Sequence, residues 1–147
     1  YGDLGTLAIT GAEVTTISTT PAGYEYLVKP GSSGMEETIT ASAENGTVFY
    51  VQNVNIQLQK LDKLTQAELQ DVATGNPHVI VQDFNGNYLL CGAVNGCDVS
   101  AGTIVSGTAL GDLTGYTLTF TGQEILPAYF MASAAISAIV IGSSIAP

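Results

Sequence analysis

The sequence predicts a mainly β fold, a β-sandwich or barrel with one short flanking α-helix at about residues 66–74. Many short segments alternate apolar and polar residues, and Asn-Gly turns such as Asn45-Gly46, Asn85-Gly86 and Asn95-Gly96 separate them. Only one segment has helical periodicity. The chain of 147 residues fits one domain, so we expect residues 1–147 to form a single β-sandwich domain.

About eight strands are expected. The clearest pair precedes and follows Asn85-Gly86, because an Asn-Gly dipeptide between alternating segments is a strong hairpin signal. The longest strand, residues 48–58, alternates so that one face is buried. In chain order, the predicted strands are residues 6–14 with a break at Gly11, 24–28, 36–43, 48–58, 78–84, 87–91, 98–105 and 116–121.

The predicted helix begins with a capping box, in which Thr65 is the N-cap residue and Glu68 reaches back to it. Leu64 and Leu69 occupy the two positions of a hydrophobic staple around that cap. Gly75 ends the helix. Because so short a helix is marginal alone, we expect it to dock on a sheet.

The composition indicates self-association. Charged residues make up 11% of the chain, against about 25% in ordinary soluble domains, and the mean hydropathy is +0.31. A surface this poor in charge is rich in uncharged polar and apolar groups, and large apolar patches mark contact sites. The expected partners are copies of the chain itself.

The charge balance excludes a nucleic-acid-binding protein. Thirteen acidic residues face only three basic ones, Lys29, Lys60 and Lys63, and the net charge is −10. Binding to phosphates requires a basic patch that displaces counterions. Two interpretations of the acidic balance remain: it keeps the protein in solution, or it forms an acidic wall that repels phosphate and lines a passage through which DNA slides.

Cys91 and Cys97 are the only cysteines, and they flank the turn at Asn95-Gly96. Their spacing matches no zinc pattern. Two states remain open from the sequence, buried free thiols or a local disulfide, and the cellular compartment is therefore undecided.

The sequence contains no catalytic pattern. His78 is the only histidine, and no basic residue or second histidine completes a nucleophile–base pair with it. Residues 83–87 only faintly resemble a calcium loop, because the ligand spacing and the closing glutamate are missing. We expect no enzyme activity, no metal and no cofactor.

The last part of the chain, residues 131–147, is apolar and carries no charge. A membrane span over the charge-free stretch after Glu124, residues 125–147, is disfavoured because Pro127 and several serines interrupt it and no basic flank orients it. We expect a packed tail that contacts an adjacent subunit. The candidate self-assembly residues are Met131, Ile136, Ile139, Val140, Ile141 and Ile145.

Two segments, residues 86–96 (GNYLLCGAVNG) and 107–130 (GTALGDLTGYTLTFTGQEILPAYF), resemble the C-terminal half of small tailed-phage virion proteins, and in architecture the tail tube family. The resemblance covers about half the chain and departs from the family at Cys91, at Cys97 and from Met131 onward. It implies a β-sandwich subunit that assembles with copies of itself and other virion proteins into stacked rings. Their channel passes the genome.

The resemblance also implies a place of assembly and of action. The subunit would be made in the host cytoplasm and act in the tail of the virion. Two alternatives remain from the sequence: another virion component, such as a capsid decoration or head-fibre protein, and a secreted or surface β-sandwich binding module.

Overall fold

The computed structural model describes residue 4 and residues 6–19, 21–28 and 31–145. It is mainly β, with 50% of the chain in strands and 12% in helices, which confirms the predicted fold class. The described residues form eleven strands and two helices, more than the predicted eight and one. In chain order these are β1 (Leu7–Thr10), β2 (Glu13–Ile17), β3 (Ala22–Tyr26), β4 (Gly34–Ser42), β5 (Thr47–Gln59), α1 (Lys63–Thr74), β6 (Val79–Gln82), β7 (Tyr88–Cys91), β8 (Cys97–Val105), β9 (Gly115–Glu124), β10 (Tyr129–Met131), α2 (Ser133–Ser137) and β11 (Val140–Ile145).

Two local hairpins form the ends of a five-stranded sheet with the order β1-β2-β10-β7-β6. The β1–β2 hairpin turns at Gly11, and the predicted β6–β7 hairpin turns at Gly86, both with positive φ angles (66° and 84°) that favour glycine. Strand β10 joins the hairpins, since it runs parallel to β2 and antiparallel to β7. A three-residue strand from late in the chain therefore holds this sheet together.

The second large sheet has four strands in the order β4-β5-β9-β8, and every neighbouring pair is antiparallel. Strand β5 is thirteen residues long and pairs along most of its length on both sides. Strands β4 and β8 lie at the two edges. A separate two-stranded sheet pairs β3 with β11 in parallel.

The two large sheets pack face to face through alternate residues. Val54 and Phe120 of the four-stranded sheet join Cys91 in one buried cluster, against which Val79 and Val81 pack. Leu90, which points to the opposite side of the five-stranded sheet, belongs to a second cluster. The five-stranded sheet is thus covered on both faces, and the alternation along β6 and β7 follows from the period of two in a strand.

Helix α1 covers the part of the four-stranded sheet that the other sheet does not reach. Leu69 is buried against Leu58 and Tyr116. The Tyr26 hydroxyl of β3 donates a hydrogen bond to Glu68 Oε2 at 2.8 Å. The expectation that the helix docks on a sheet is confirmed.

The predicted start of this helix is wrong. The N-cap position belongs to Asp62, which makes no side-chain capping hydrogen bond, so Thr65 lies within the first turn. Leu64 is 72% exposed and forms no staple with Leu69. The helix starts early because Tyr116 donates a hydrogen bond from its hydroxyl to the Asp62 carbonyl and anchors that residue. The predicted end at Gly75 is confirmed.

The apolar end of the chain is part of the subunit itself. Met131 and Ala135 are buried in the cluster around Leu90, and the half-buried Ile136 packs against them. Strand β11 adds to β3 as a parallel partner. Among the described residues, no helix is long and apolar enough to cross a membrane.

Candidate self-assembly surfaces

The four-stranded sheet has one face turned away from the core, and that face is lined by uncharged polar side chains. On β9, and on β5 from Asn53 onward, the residues that alternate with core residues are asparagines, glutamines and threonines in register across the two strands, whereas Phe49 and Val51 hold these positions nearer the start of β5. Threonine hydroxyls donate to asparagine Oδ1 atoms across the pair, at 2.8 Å from Thr119 to Asn55 and 3.0 Å from Thr121 to Asn53. The polar face comprises Asn53, Asn55, Gln57, Gln59, Thr117, Thr119, Thr121 and Gln123.

This polar face carries few charges. In the four strands, all of which lie within the described residues, the only charged residues at outward positions are Glu36 and Asp98. They stand at opposite edges of one row, in register with Asn53 and Thr121. The face has no cation, so it offers no counter-charge to phosphate.

Strands β4 and β8 leave two long edges of the sheet unpaired within the chain. Each strand is nine residues long. From residue 101 to 105, β8 is exposed and contains neither a charge nor a proline, and Ile104 is 62% exposed. On the β4 edge, Ile39 is 65% exposed. Edge strands are normally protected by lysines, prolines or short length, and most of this protection is absent here.

The two edges are complementary in direction. Three antiparallel steps separate β4 from β8, so the two strands run in opposite directions. A second copy, rotated about one axis, can therefore place its β4 beside β8 and continue the antiparallel pattern. The strand order alone creates this property.

A buried polar network holds the β4 edge against the rest of the subunit. Glu37 Oε1 accepts hydrogen bonds from Gln52 Nε2 at 3.1 Å and from the Ala128 amide at 3.0 Å. Gln52 is 1% exposed, and its Oε1 accepts from the Gly92 amide at 2.9 Å. This network was not predicted from the sequence, although a glutamine at an inward position of an alternating strand was the available signal.

The six candidate residues of the C-terminal segment lie at different depths. Met131 is 5% exposed and belongs to the core of the chain itself, so little of its side chain is accessible to another copy. Ile136 and Ile139 are half-buried, and Val140, Ile141 and Ile145 lie in β11 beside β3. On the sheet edges, Ile39 and Ile104 are 65% and 62% exposed.

Cys91 and Cys97 are free thiols, and both are buried. They lie in different sheets, on β7 and β8, and Cys91 Sγ is 3.6 Å from Met35 Sδ. Burial is the main cause that raises the pKa of each thiol to about 12. The second cause is electrostatic: Cys97 raises the pKa of Cys91, and Glu124 raises the pKa of Cys97.

These thiols should be inert to Ellman's reagent in the folded protein at pH 8 and react fully after unfolding in urea, because the thiolate is the nucleophile. Their folded pKa of about 12 lies above that of an unfolded thiol, about 8.5. The stability that they contribute is therefore complete below about pH 8.5 and is lost as the pH rises toward 12. The Cys91→Ser variant reports on Cys97 alone, and rapid reaction of either folded thiol at pH 8 would contradict its burial.

The other polar groups singled out in the sequence serve the local structure. His78 Nδ1 is 2.6 Å from the Gly92 carbonyl oxygen. The Asp83 carboxylate accepts hydrogen bonds from the Asn85 and Asn87 amides and from Asn87 Nδ2, and those from Asn87 lead in lowering its pKa. Residues 83–87 are thus a closed turn. Nowhere in the described part of the chain do three or more His, Cys, Asp or Glu side chains form a group that could hold a metal ion.

The geometry defines a class of protein, a mainly β protein whose four-stranded sheet has two open edges and a polar, cation-free face between them. No family model, curated protein or solved structure matches the chain.

Proposed function

We propose that the chain is a structural protein of a tailed-phage virion, a tail tube subunit without enzyme activity that assembles into stacked rings. One observation carries the proposal: the four-stranded sheet is open at two oppositely directed edges and has a polar face without cations. The sequence resemblance at residues 86–96 and 107–130 supports the same conclusion.

The edges favour a ring over a closed pair. When β8 of one copy pairs with β4 of the next, two different surfaces are in contact, and such a heterologous contact repeats until the rotation closes. Closure joins the four-stranded sheets into one continuous barrel, in which β4 and β8 are no longer edges. The nine residues of each edge strand supply a long run of backbone hydrogen bonds.

The polar face suits the wall of a DNA channel. With the core side of each sheet covered by the five-stranded sheet and α1, the face that remains for the inside of the barrel is the row of Asn, Gln and Thr residues. Amides and hydroxyls stay hydrated, and the only charges, on Glu36 and Asp98, repel phosphate. DNA would pass through this channel without being held.

Negative-stain electron microscopy of the purified chain tests the proposal. We expect rings and hollow tubes, together with no retention on a DNA column at physiological salt. Monomers or trimers at high protein concentration would contradict the tube and favour a capsid decoration or head-fibre protein. Retention on DNA would contradict the passive channel, because it requires cationic contacts that this face lacks.

A further inference from the structure

The four-stranded sheet has two ends as well as two edges. Thirteen residues of β5 separate the ends by about 40 Å. Gln59 of β5 pairs with Gly115 at the start of β9, whereas Tyr50 pairs with Glu124 at its finish. Residues that follow β5 therefore lie at the opposite end of the sheet from residues that follow β9.

Exposed leucines are concentrated at the end where β5 finishes. Leu61 is 42% exposed and Leu64 is 72% exposed, and Leu110, in the loop between β8 and β9, is fully exposed. Asp112 braces that loop, since its Oδ2 accepts hydrogen bonds from the amides of residues 108 and 109 and from a threonine hydroxyl, which lower its pKa. An ordered loop that exposes a leucine side chain in this way is suited to insert that side chain into a contact with another protein. We call this the leucine end: Lys60, Leu61, Lys63, Leu64 and Leu110.

The opposite end also presents exposed apolar residues on a braced loop. Glu124 is 5% exposed, and its Oε1 accepts from the Val94 and Asn95 amides at 3.0 and 2.8 Å. This arrangement leaves Val94 79% exposed near Ile125, which is 77% exposed. We call this the isoleucine end: Glu44, Val48, Val94, Ile125 and Leu126.

The two ends differ in charge. Lys60 and Lys63, the lysines of the described residues, both belong to the leucine end, where Asp62 and Asp112 balance their charge. The isoleucine end has no lysine, and it carries Glu44 in the exposed turn between β4 and β5. In a chain with a net charge of −10, the leucine end is thus the place where an acidic surface of another copy meets least repulsion.

We propose that the leucine end of one copy binds the isoleucine end of another, head to tail along the strand direction, and that this contact stacks one ring on the next. The proposal rests on the proposed function for the ring itself. Two different patches at opposite ends of one subunit form a heterologous contact that does not close, so it extends into a filament. Exposed apolar side chains on both patches supply the burial, and the contrast between a charge-balanced end and an acidic end sets the polarity.

The test uses two variants of the full chain, Leu110→Glu at the leucine end and Ile125→Glu at the isoleucine end. Each variant alone should yield single rings, and the fraction of protein in stacked tubes should fall at least tenfold in sedimentation and electron microscopy. Leu64→Glu is a second variant for the leucine end. Phe84→Glu is the control, because Phe84 is 90% exposed in the β6–β7 turn and belongs to neither end.

Mixing the two variants tests the head-to-tail polarity. A ring of Leu110→Glu subunits retains its isoleucine end, and a ring of Ile125→Glu subunits retains its leucine end. The mixture should therefore form pairs of rings and stop there. Pairs formed by either variant alone would overturn the polarity, because they would show that like ends bind each other.

The outcomes separate this proposal from the proposed function. Tubes of normal length from both variants would overturn the end contacts and leave the ring intact. A wild-type chain that forms rings but never stacks them would do the same. If the wild type forms no rings, the proposed function fails, whereas single-file filaments sensitive to Leu110→Glu would still support the end contacts.

Discussion

Replacing Ile104 with lysine is expected to abolish ring formation while the subunit stays folded. Ile104 is 62% exposed on β8, so in the proposed ring it would be covered by β4 of the next copy. A lysine on an edge strand opposes strand addition, because its charge would have to be buried between subunits. We expect the assembled fraction to fall at least tenfold in sedimentation velocity. The free energy of unfolding should change by only about 1 kcal/mol, as is usual for surface substitutions.

Two matched lysine variants make this experiment specific. Ile39→Lys changes the β4 edge, where the Ile39 side chain is 65% exposed. This variant should abolish rings to the same extent, because the proposed ring needs both edges. Gln70→Lys adds the same charge on the exposed side of α1 and should leave assembly unchanged. Normal rings from Ile104→Lys, or a loss from Gln70→Lys of similar size, would exclude an edge-specific effect.

Met131→Ala is expected to cost about 2–5 kcal/mol of unfolding free energy, the range for truncating a buried methionine. Met131 lies in β10, the strand that joins the two hairpins, and is 5% exposed. Its side chain packs with Val14 and Leu90. Urea unfolding followed by circular dichroism measures the loss. The Ile104→Lys background keeps the protein from polymerising during the measurement.

Phe130→Ala is the matched control for this substitution. Phe130 is the preceding residue of β10, points to the other face of the sheet and is 46% exposed, so its loss should cost about 1 kcal/mol. Equal costs for the two variants would mean that Met131 is not part of the core.

On the same grounds, deleting residues 131–147 should unfold the subunit, because it removes Met131, the buried Ala135 and strand β11 together.

The sequence predicted the features that depend on neighbouring residues. The β6–β7 hairpin was recognisable because Asn85-Gly86 supplies the positive φ that its turn needs, and β5 was recognisable from its alternation. The prediction for β5 was less accurate at its start. Val48 follows the apolar alternation yet is 51% exposed.

The features that depend on distant parts of the chain were not visible in the sequence. Strand β10 has three residues, too few for a periodic pattern, and it exists because β2 and β7 both pair with it. The start of α1 was mistaken because the long-range bond from Tyr116 to Asp62 anchors that residue and outweighs the local capping signal of Thr65. Local propensity is a weak guide wherever such tertiary contacts compete with it.

The candidate assembly site divides in the same way. The composition already shows a protein that is poor in charge and nearly free of cations, because composition is a property of the chain. The fold was needed to show that β4 and β8 are the open edges, that Asn, Gln and Thr residues share one face of β5 and β9, and that Met131 is core. Strand order and burial depend on which distant segments of the chain come into contact. The free energy of these long-range contacts cannot be deduced from a local sequence pattern.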